Sequence, residues 1–187
     1  MTYKSYFITI CTKDHDLYFG DVVDGRMELS EIGQWAHQCV EKIETINDNV
    51  FVPEYVVMPN HVHLIVIMDN TDDQRLPRCD SPTALDCDGN HEDWGVGLPY
   101  HDSRIDNNHE INEEMQRRAY RCGRLSHIIG QFKSAVTKYA NVHDIPFMWQ
   151  PRFHDHIIRN QFEMNRIADY IQNNPLKWEL DRFYKIR

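Results

Sequence analysis

The chain has 187 residues, of which 41% are hydrophobic, which suits one globular domain with a substantial core. Its five cysteines are odd in number and form no Cys-x-x-Cys pair, which argues against a disulfide framework and against a structural zinc knuckle. The first apolar stretch, residues 6–11, is too short for a membrane span or a signal sequence. A cytoplasmic protein without a membrane partner is therefore expected.

The formal net charge of −9 is unevenly distributed along the chain. Residues 69–114 carry 13 Asp/Glu against 3 Lys/Arg, whereas residues 115–187 carry 13 Lys/Arg against 6 Asp/Glu. The basic C-terminal part can offer a phosphate-binding face that the overall acidity conceals. The alternative is an ordinary solvated helical surface.

The first half of the chain predicts strands on either side of a helix. Residues 3–12 alternate aromatic and β-branched side chains as in a central strand, and Asp24-Gly25 between two short apolar runs predicts a hairpin turn. Ser30 can cap a helix whose apolar positions recur up to Ile46. Two strands follow, residues 51–58 and 61–68, joined through Pro59-Asn60.

The second half begins with a long segment that lacks periodicity. Residues 69–114 are acidic and rich in Asp, Asn, Gly and Pro, which is typical of a flexible insertion. A helix with its apolar stripe from Leu125 to Tyr139 follows, then a strand over 148–159. The last helix begins after Asn160, with Glu163 in the position of a capping box, and Pro175 ends it.

This order of elements predicts an α+β fold, a ferredoxin-like antiparallel sheet with helices packed on it. Residues 1–187 are expected to form a single domain that carries the acidic insertion at 69–114.

Two pairs of residues can carry chemistry. In a strand, His61 and His63 leave the same face, and on a helix Tyr170 lies one turn before Asn174. Two imidazoles and an amide oxygen are three possible ligands for a divalent cation, beside a phenol that can act as a nucleophile. The plainer readings are a pair of structural histidines, a packing tyrosine and a helix-ending asparagine.

Four ordered motifs carry a specific family resemblance. They read MPNHVHL at 58–64, WQPRF at 149–153, HIIRN at 156–160 and YIQNNP at 170–175. They resemble the single-tyrosine HUH transposases, and more closely the REP-associated tyrosine transposases. The likeness covers nearly all of residues 3–178 apart from the insertion.

The resemblance implies a transposase-like endonuclease and strand transferase that acts on single-stranded DNA with hairpins, such as REP palindromes. It implies a 5′-phosphotyrosine intermediate on Tyr170 and a metal, Mg²⁺ or Mn²⁺, held by His61, His63 and Asn174. Relatives are monomers or homodimers, and the DNA-bound enzyme would associate with the nucleoid. The residues expected to bind DNA are Arg117, Arg118, Arg121, Arg124, Lys133, Arg152, His156 and Arg159.

Two other functions are compatible with the sequence. One is a domesticated protein that binds DNA hairpins without cutting them. The other is a metal-dependent hydrolase that uses water in place of Tyr170.

Overall fold

The first strand is buried on both faces over residues 8–11, as suits a strand in the middle of a sheet. The structure is a computed structural model that describes residues 3–69 and 113–185, and the side chains of 113–122 lie outside the description. Strand β1, Tyr3–Cys11, pairs antiparallel with β6, His61–Asp69, on one side and with β7, His154–Ile158, on the other. Strands β4, Val50–Phe51, and β5, Tyr55–Met58, both pair antiparallel with β6.

The strand order β4-β6-β1-β7, with β5 also on β6, is that of a ferredoxin-like sheet. The predicted α+β class with an antiparallel sheet is confirmed. Because β6 lies inside the sheet, both of its edges are hydrogen-bonded, and its side chains are held in register with those of β1.

The hairpin is separate from this sheet. It consists of β2, Gly20–Val23, and β3, Arg26–Leu29, and both residues of its Asp24-Gly25 turn have positive φ, as a type I′ turn requires. Ser30 then caps α1, Glu31–Glu41, by accepting a 3.2 Å hydrogen bond from the Gly33 amide. The expected helix continues only as a separate turn, α2, Ile43–Ile46.

Helix α3, Glu113–Val142, is longer than its apolar stripe indicated, and α4, Gln161–Gln172, follows β7. Helix α4 ends at Gln172, two residues before the predicted end at Asn174, and a short 3₁₀ helix, Pro175–Leu180, follows it. No helix within the described ranges is both long and apolar enough to cross a membrane.

Two predicted strands are shorter than expected. The strand expected over 51–58 is interrupted at 52–54, where Pro53 cannot donate to a sheet ladder. The strand expected over 148–159 begins only at His154, because Pro151 lacks an amide hydrogen and Arg152 has a φ of 66°. Upstream of it, Trp149 makes a single bridge with Thr12.

The chain divides into two compact units, residues 1–71 with 128–187 and residues 72–127. All strands and α4 belong to the first unit. The described part of the second unit is the N-terminal half of α3. The greater part of the acidic insertion, 70–112, lies outside the described residues, so the single domain with an insertion stays a prediction.

Candidate metal centre and nucleophile

The paired histidines lie side by side on β6. His61 is opposite Cys11 of β1 and His63 is opposite Thr9, so the two imidazoles leave the same face two residues apart. Their ring centroids are 4.4 Å apart, and the exposed fractions of the residues are 0% and 1%. Because burial removes the two rings from water, their nitrogens need hydrogen-bond partners or metal coordination within the protein.

Each imidazole has one partner at Nδ1. Nδ1 of His61 lies 2.9 Å from Oδ1 of Asn60, and Nδ1 of His63 lies 2.9 Å from Oγ1 of Thr9. Nε2 of His61 is buried and has no hydrogen-bond partner among the described residues. A buried imidazole nitrogen without a hydrogen-bond partner is suited to bind a metal ion.

Helix α4 brings the predicted nucleophile to this face of the sheet. Ile167 and Ile171 of the helix are buried in one apolar cluster with Ile65. Ile65 lies two residues beyond His63 on β6, so its side chain leaves the same face of the sheet as the two histidines. This packing fixes the rotation of α4 about its axis. Tyr170, next to Ile171, therefore lies over β6 rather than on the far side of the helix.

The Tyr170 hydroxyl reaches the histidine pair. Oη is 3.3 Å from Nε2 of His63 and donates a 3.0 Å hydrogen bond to Oδ2 of Asp181. The phenol ring stands edge-on to Phe7, with centroids 6.2 Å apart. Since 40% of the residue is exposed, a substrate can approach Tyr170 from solvent.

Asn174 follows α4 in the turn that leads to the 3₁₀ helix, and it is 2% exposed. Its Nδ2 donates a 3.1 Å hydrogen bond to Oδ2 of Asp181, while its Oδ1 is buried without a hydrogen-bond partner among the described residues. The predicted set of His61, His63, Tyr170 and Asn174 is thus brought together around one carboxylate.

Sequence reasoning missed Asp181. It follows the 3₁₀ helix, and one ligand atom from each of His61, His63 and Asp181 can be chosen so that all lie within 4.8 Å of one another. This three-residue group could hold a divalent metal. No periodicity in the sequence marks Asp181; its only signal is that it lies seven residues beyond Asn174, after the helix-stopping Pro175.

The electrostatics of the site favour neutral imidazoles. Burial lowers the pKa of His63 to about 4, against the opposing effect of Asp181, and burial lowers the pKa of His61 well below its usual value. Both rings are therefore uncharged at neutral pH, which is the form that binds a metal. Burial, followed by the Asp181 charge, raises the pKa of Tyr170 to about 12.

The predicted DNA-binding residues have varied positions. Lys133 donates from Nζ to the carbonyls of Gln150, at 2.7 Å, and Arg152, at 3.0 Å. Arg152 itself is exposed. These contacts leave the DNA-binding assignment of both residues a prediction.

On β7, the exposed His156 pairs through Nε2 with Glu163, at 2.8 Å, and the other carboxylate oxygen of Glu163 accepts a 2.9 Å hydrogen bond from the Arg159 amide. Arg124 lies on α3 in the second unit and is partly buried. The side chains of Arg117, Arg118 and Arg121 lie outside the described residues.

Comparisons with known proteins include a solved structure and a sequence relative, whereas no family model matches the chain. A solved structure described as a REP-associated tyrosine transposase bound to a REP hairpin aligns over 97% of this chain and 74% of its own, with 17% identity and a TM-score of 0.48. At this TM-score the likeness carries no weight for the activity of the chain.

The sequence relative is a Haemophilus influenzae protein described as uncharacterized. It is 31% identical over 180 residues, which cover 96% of this chain and 84% of the relative. Similarity of this extent over nearly the full length of both proteins shows common descent. The chain therefore belongs to the same protein family as this Haemophilus influenzae protein.

Proposed function

We propose that this protein is a transposase-like endonuclease and strand transferase for single-stranded DNA that carries hairpins, such as REP palindromes. The observation that carries the proposal is the Tyr170 hydroxyl, which lies 3.3 Å from Nε2 of His63 and touches the carboxylate that completes the candidate metal group. A nucleophile beside potential metal ligands suits attack on a phosphodiester. The hairpin substrate is inferred from the four sequence motifs.

The residues present fit a divalent cation. His61 and His63 offer Nε2 atoms, and the unpartnered Oδ1 of Asn174 and the carboxylate of Asp181 offer oxygens. Imidazole with amide and carboxylate oxygens suits Mn²⁺ or Mg²⁺. When bound there, such a cation would neutralise the charge of the scissile phosphate and help to align it.

The chain's own residues supply the remaining chemistry. Tyr170 Oη attacks the phosphorus, the bond from phosphorus to the 3′-oxygen breaks, and the phenolic proton is ultimately transferred to that leaving oxygen. The products are a 5′-phosphotyrosine and a free 3′-hydroxyl, which can reverse the step on another phosphotyrosine. Because the pKa of Tyr170 is about 12, the phenol is protonated at neutral pH, and Oδ2 of Asp181 is the acceptor nearest to its proton.

The test uses the full-length protein with Mn²⁺ and single-stranded oligonucleotides that carry hairpins. We expect Tyr170→Phe to abolish the covalent protein–DNA adduct, seen as a shifted band in a denaturing gel, while DNA binding persists. Tyr3→Phe, at a 51% exposed tyrosine in the same unit, is the matched control and should retain the adduct.

Each alternative function gives a different result in the same assay. A water-dependent hydrolase would cut DNA as efficiently after Tyr170→Phe as before it. A protein that only binds hairpins would bind tightly and form no adduct with any substrate. Either outcome would overturn the proposed function.

A further inference from the structure

Asn60 is fully buried beside His61. Its Nδ2 donates hydrogen bonds to two backbone carbonyls, that of His15 at 3.2 Å and that of Phe183 at 2.7 Å. A carbonyl oxygen can only accept a hydrogen bond, so the nitrogen of the amide must face these two groups. The oxygen Oδ1 must then face His61.

This orientation determines the tautomer of His61. Oδ1 of Asn60 can only accept, and it lies 2.9 Å from Nδ1 of His61, so Nδ1 carries the ring proton. In a neutral imidazole the other nitrogen is then an acceptor. That nitrogen is the Nε2 that has no partner among the described residues.

The Nδ1 atom of His63 also has a partner, on the neighbouring strand β1. It lies 2.9 Å from Oγ1 of Thr9, which is buried. A hydroxyl can either donate to an imidazole nitrogen or accept from it, so this contact fixes the orientation of the His63 ring rather than its tautomer. Nε2 of His63 then faces the Tyr170 hydroxyl, 3.3 Å away.

We propose that Asn60 and Thr9 are positioning residues: Asn60 holds His61 in the tautomer that directs its Nε2 lone pair to the cation, and Thr9 holds the His63 ring with Nε2 toward the same cation. This inference rests on the proposed function, since the cation is the one that serves DNA cleavage. Partners of this kind fix the ring orientation of metal-binding histidines, and their loss typically lowers metal affinity about 10–100-fold. Phe183 takes part indirectly, because its carbonyl holds the Asn60 amide.

The first test reads the tautomer of His61 directly in the metal-free protein. A two-dimensional NMR spectrum correlating ring ¹⁵N with ring carbon-bound protons distinguishes a protonated from an unprotonated imidazole nitrogen. We expect Nδ1 to be protonated and Nε2 unprotonated in His61, with the signals assigned by His61→Gln. A proton on Nε2 of His61 would overturn the inference, whatever the DNA-cleaving activity is.

The second test is the affinity for Mn²⁺ alone, measured by isothermal titration calorimetry, and it uses a matched pair at Asn60. Asn60→Ala and Asn60→Asp both lose the two donated hydrogen bonds, but only Asp keeps an oxygen that can accept from Nδ1 of His61. We expect Asn60→Ala to weaken Mn²⁺ binding about 10–100-fold and Asn60→Asp to stay within about tenfold of the unsubstituted protein. Equal affinities for these two variants would contradict a positioning role.

A second matched pair guards against a variant at Asn60 that fails to fold. Thr9→Val removes the hydroxyl beside His63, whereas Thr12→Val removes an equally buried hydroxyl that bonds the carbonyls of Asp16, at 2.8 Å, and Asn60, at 3.0 Å. We expect Thr9→Val to weaken Mn²⁺ binding at least about threefold more than Thr12→Val. The same affinity in both variants would contradict the role of Thr9.

The proposed function can fail separately from this inference. If the unsubstituted protein binds no Mn²⁺, the metal site itself is wrong and the inference falls with it. If Mn²⁺ binds with the expected dependence on Asn60 and Thr9 but Tyr170→Phe still forms the adduct, the proposed nucleophile is wrong and the positioning role stands.

Discussion

His61 and His63 combine full burial with chemistry that requires an open nitrogen. Burial alone would make two adjacent imidazoles destabilise the folded protein, since each ring loses its hydrogen bonds to water. The Nδ1 partners, Asn60 and Thr9, offset part of that cost, and burial keeps the rings neutral. The residues are therefore suited to metal binding at the expense of stability in acid.

That cost gives a prediction for stability without metal. The pKa of His63 is about 4 in the folded protein, below its unfolded value of 6.5, so the unfolded chain takes up the proton first as the pH falls. The contribution of His63 to stability is full above about pH 7, declines as the pH falls from 6.5 to 4, and changes little below that. Between pH 7.5 and 5.0 this residue alone should remove about 2 kcal/mol.

Urea denaturation in EDTA at the two pH values measures this loss. His63→Gln should show a smaller loss between pH 7.5 and 5.0 than the unsubstituted protein. His154→Gln, at an exposed histidine of β7, is the control. An identical pH dependence in His63→Gln and the unsubstituted protein would be evidence against a buried neutral imidazole.

At the scale of elements, α4 is held at its start by capping and along its length by packing. Oδ1 of Asn160 accepts a 2.9 Å hydrogen bond from the Glu163 amide, and the Glu163 carboxylate accepts one from the Arg159 amide. This reciprocal arrangement resembles the capping box expected from the sequence. Ile167 and Ile171 then fix the helix against the sheet.

Loss of the cap should therefore affect stability more than activity. We expect Asn160→Ala to destabilise the protein by about 1 kcal/mol, lowering the thermal midpoint by roughly 2–4 °C. Adduct formation at 25 °C should persist, because packing rather than the cap sets the position of Tyr170. Scanning calorimetry and the gel assay measure the two effects.

The matched control is Gln161→Ala, which removes an exposed 2.8 Å side-chain hydrogen bond to Asn165 one turn along the same helix. We expect a change of only a few tenths of a kcal/mol. Comparable destabilisation by the two variants would show that the Asn160 cap is not a distinct source of stability.

At the scale of the whole molecule, charge opposes the proposed partner. Residues 72–112 carry ten Asp/Glu and three Lys/Arg, so their removal changes the formal net charge from −9 to −2. DNA is also negatively charged, so these acidic residues repel it. The repulsion is strongest at low salt, where screening is weakest. We expect deletion of 72–112 to raise the affinity for single-stranded DNA at about 0.02 M salt and to change it little at about 0.5 M.

Fluorescence anisotropy with a labelled hairpin oligonucleotide measures both affinities. A full-length variant in which the ten acidic residues are replaced by Asn and Gln separates charge from length, and it should match the deletion. Unchanged or weaker DNA binding in both variants at low salt would exclude a repulsive role for the segment.

Most of the strands, the hairpin turn, the caps and four side chains of the candidate site could be predicted from the sequence. These depend on local rules: a period of two places His61 and His63 on one face, and helical spacing places Tyr170 near Asn174. The length of two strands was overestimated, because Pro53 and Pro151 interrupt stretches whose apolar composition favours a strand.

The fold was needed to show which other groups meet the predicted side chains. Thr9 meets His63 because β1 and β6 pair in one register across 54 residues of sequence, and Asp181 meets Tyr170 because the chain turns back over the sheet after Pro175. Neither contact leaves a periodic trace in the sequence, since both arise from the packing of distant segments. Local patterns therefore predict His61, His63, Tyr170 and Asn174 as candidates, whereas Asp181 and Thr9 become visible only through long-range packing.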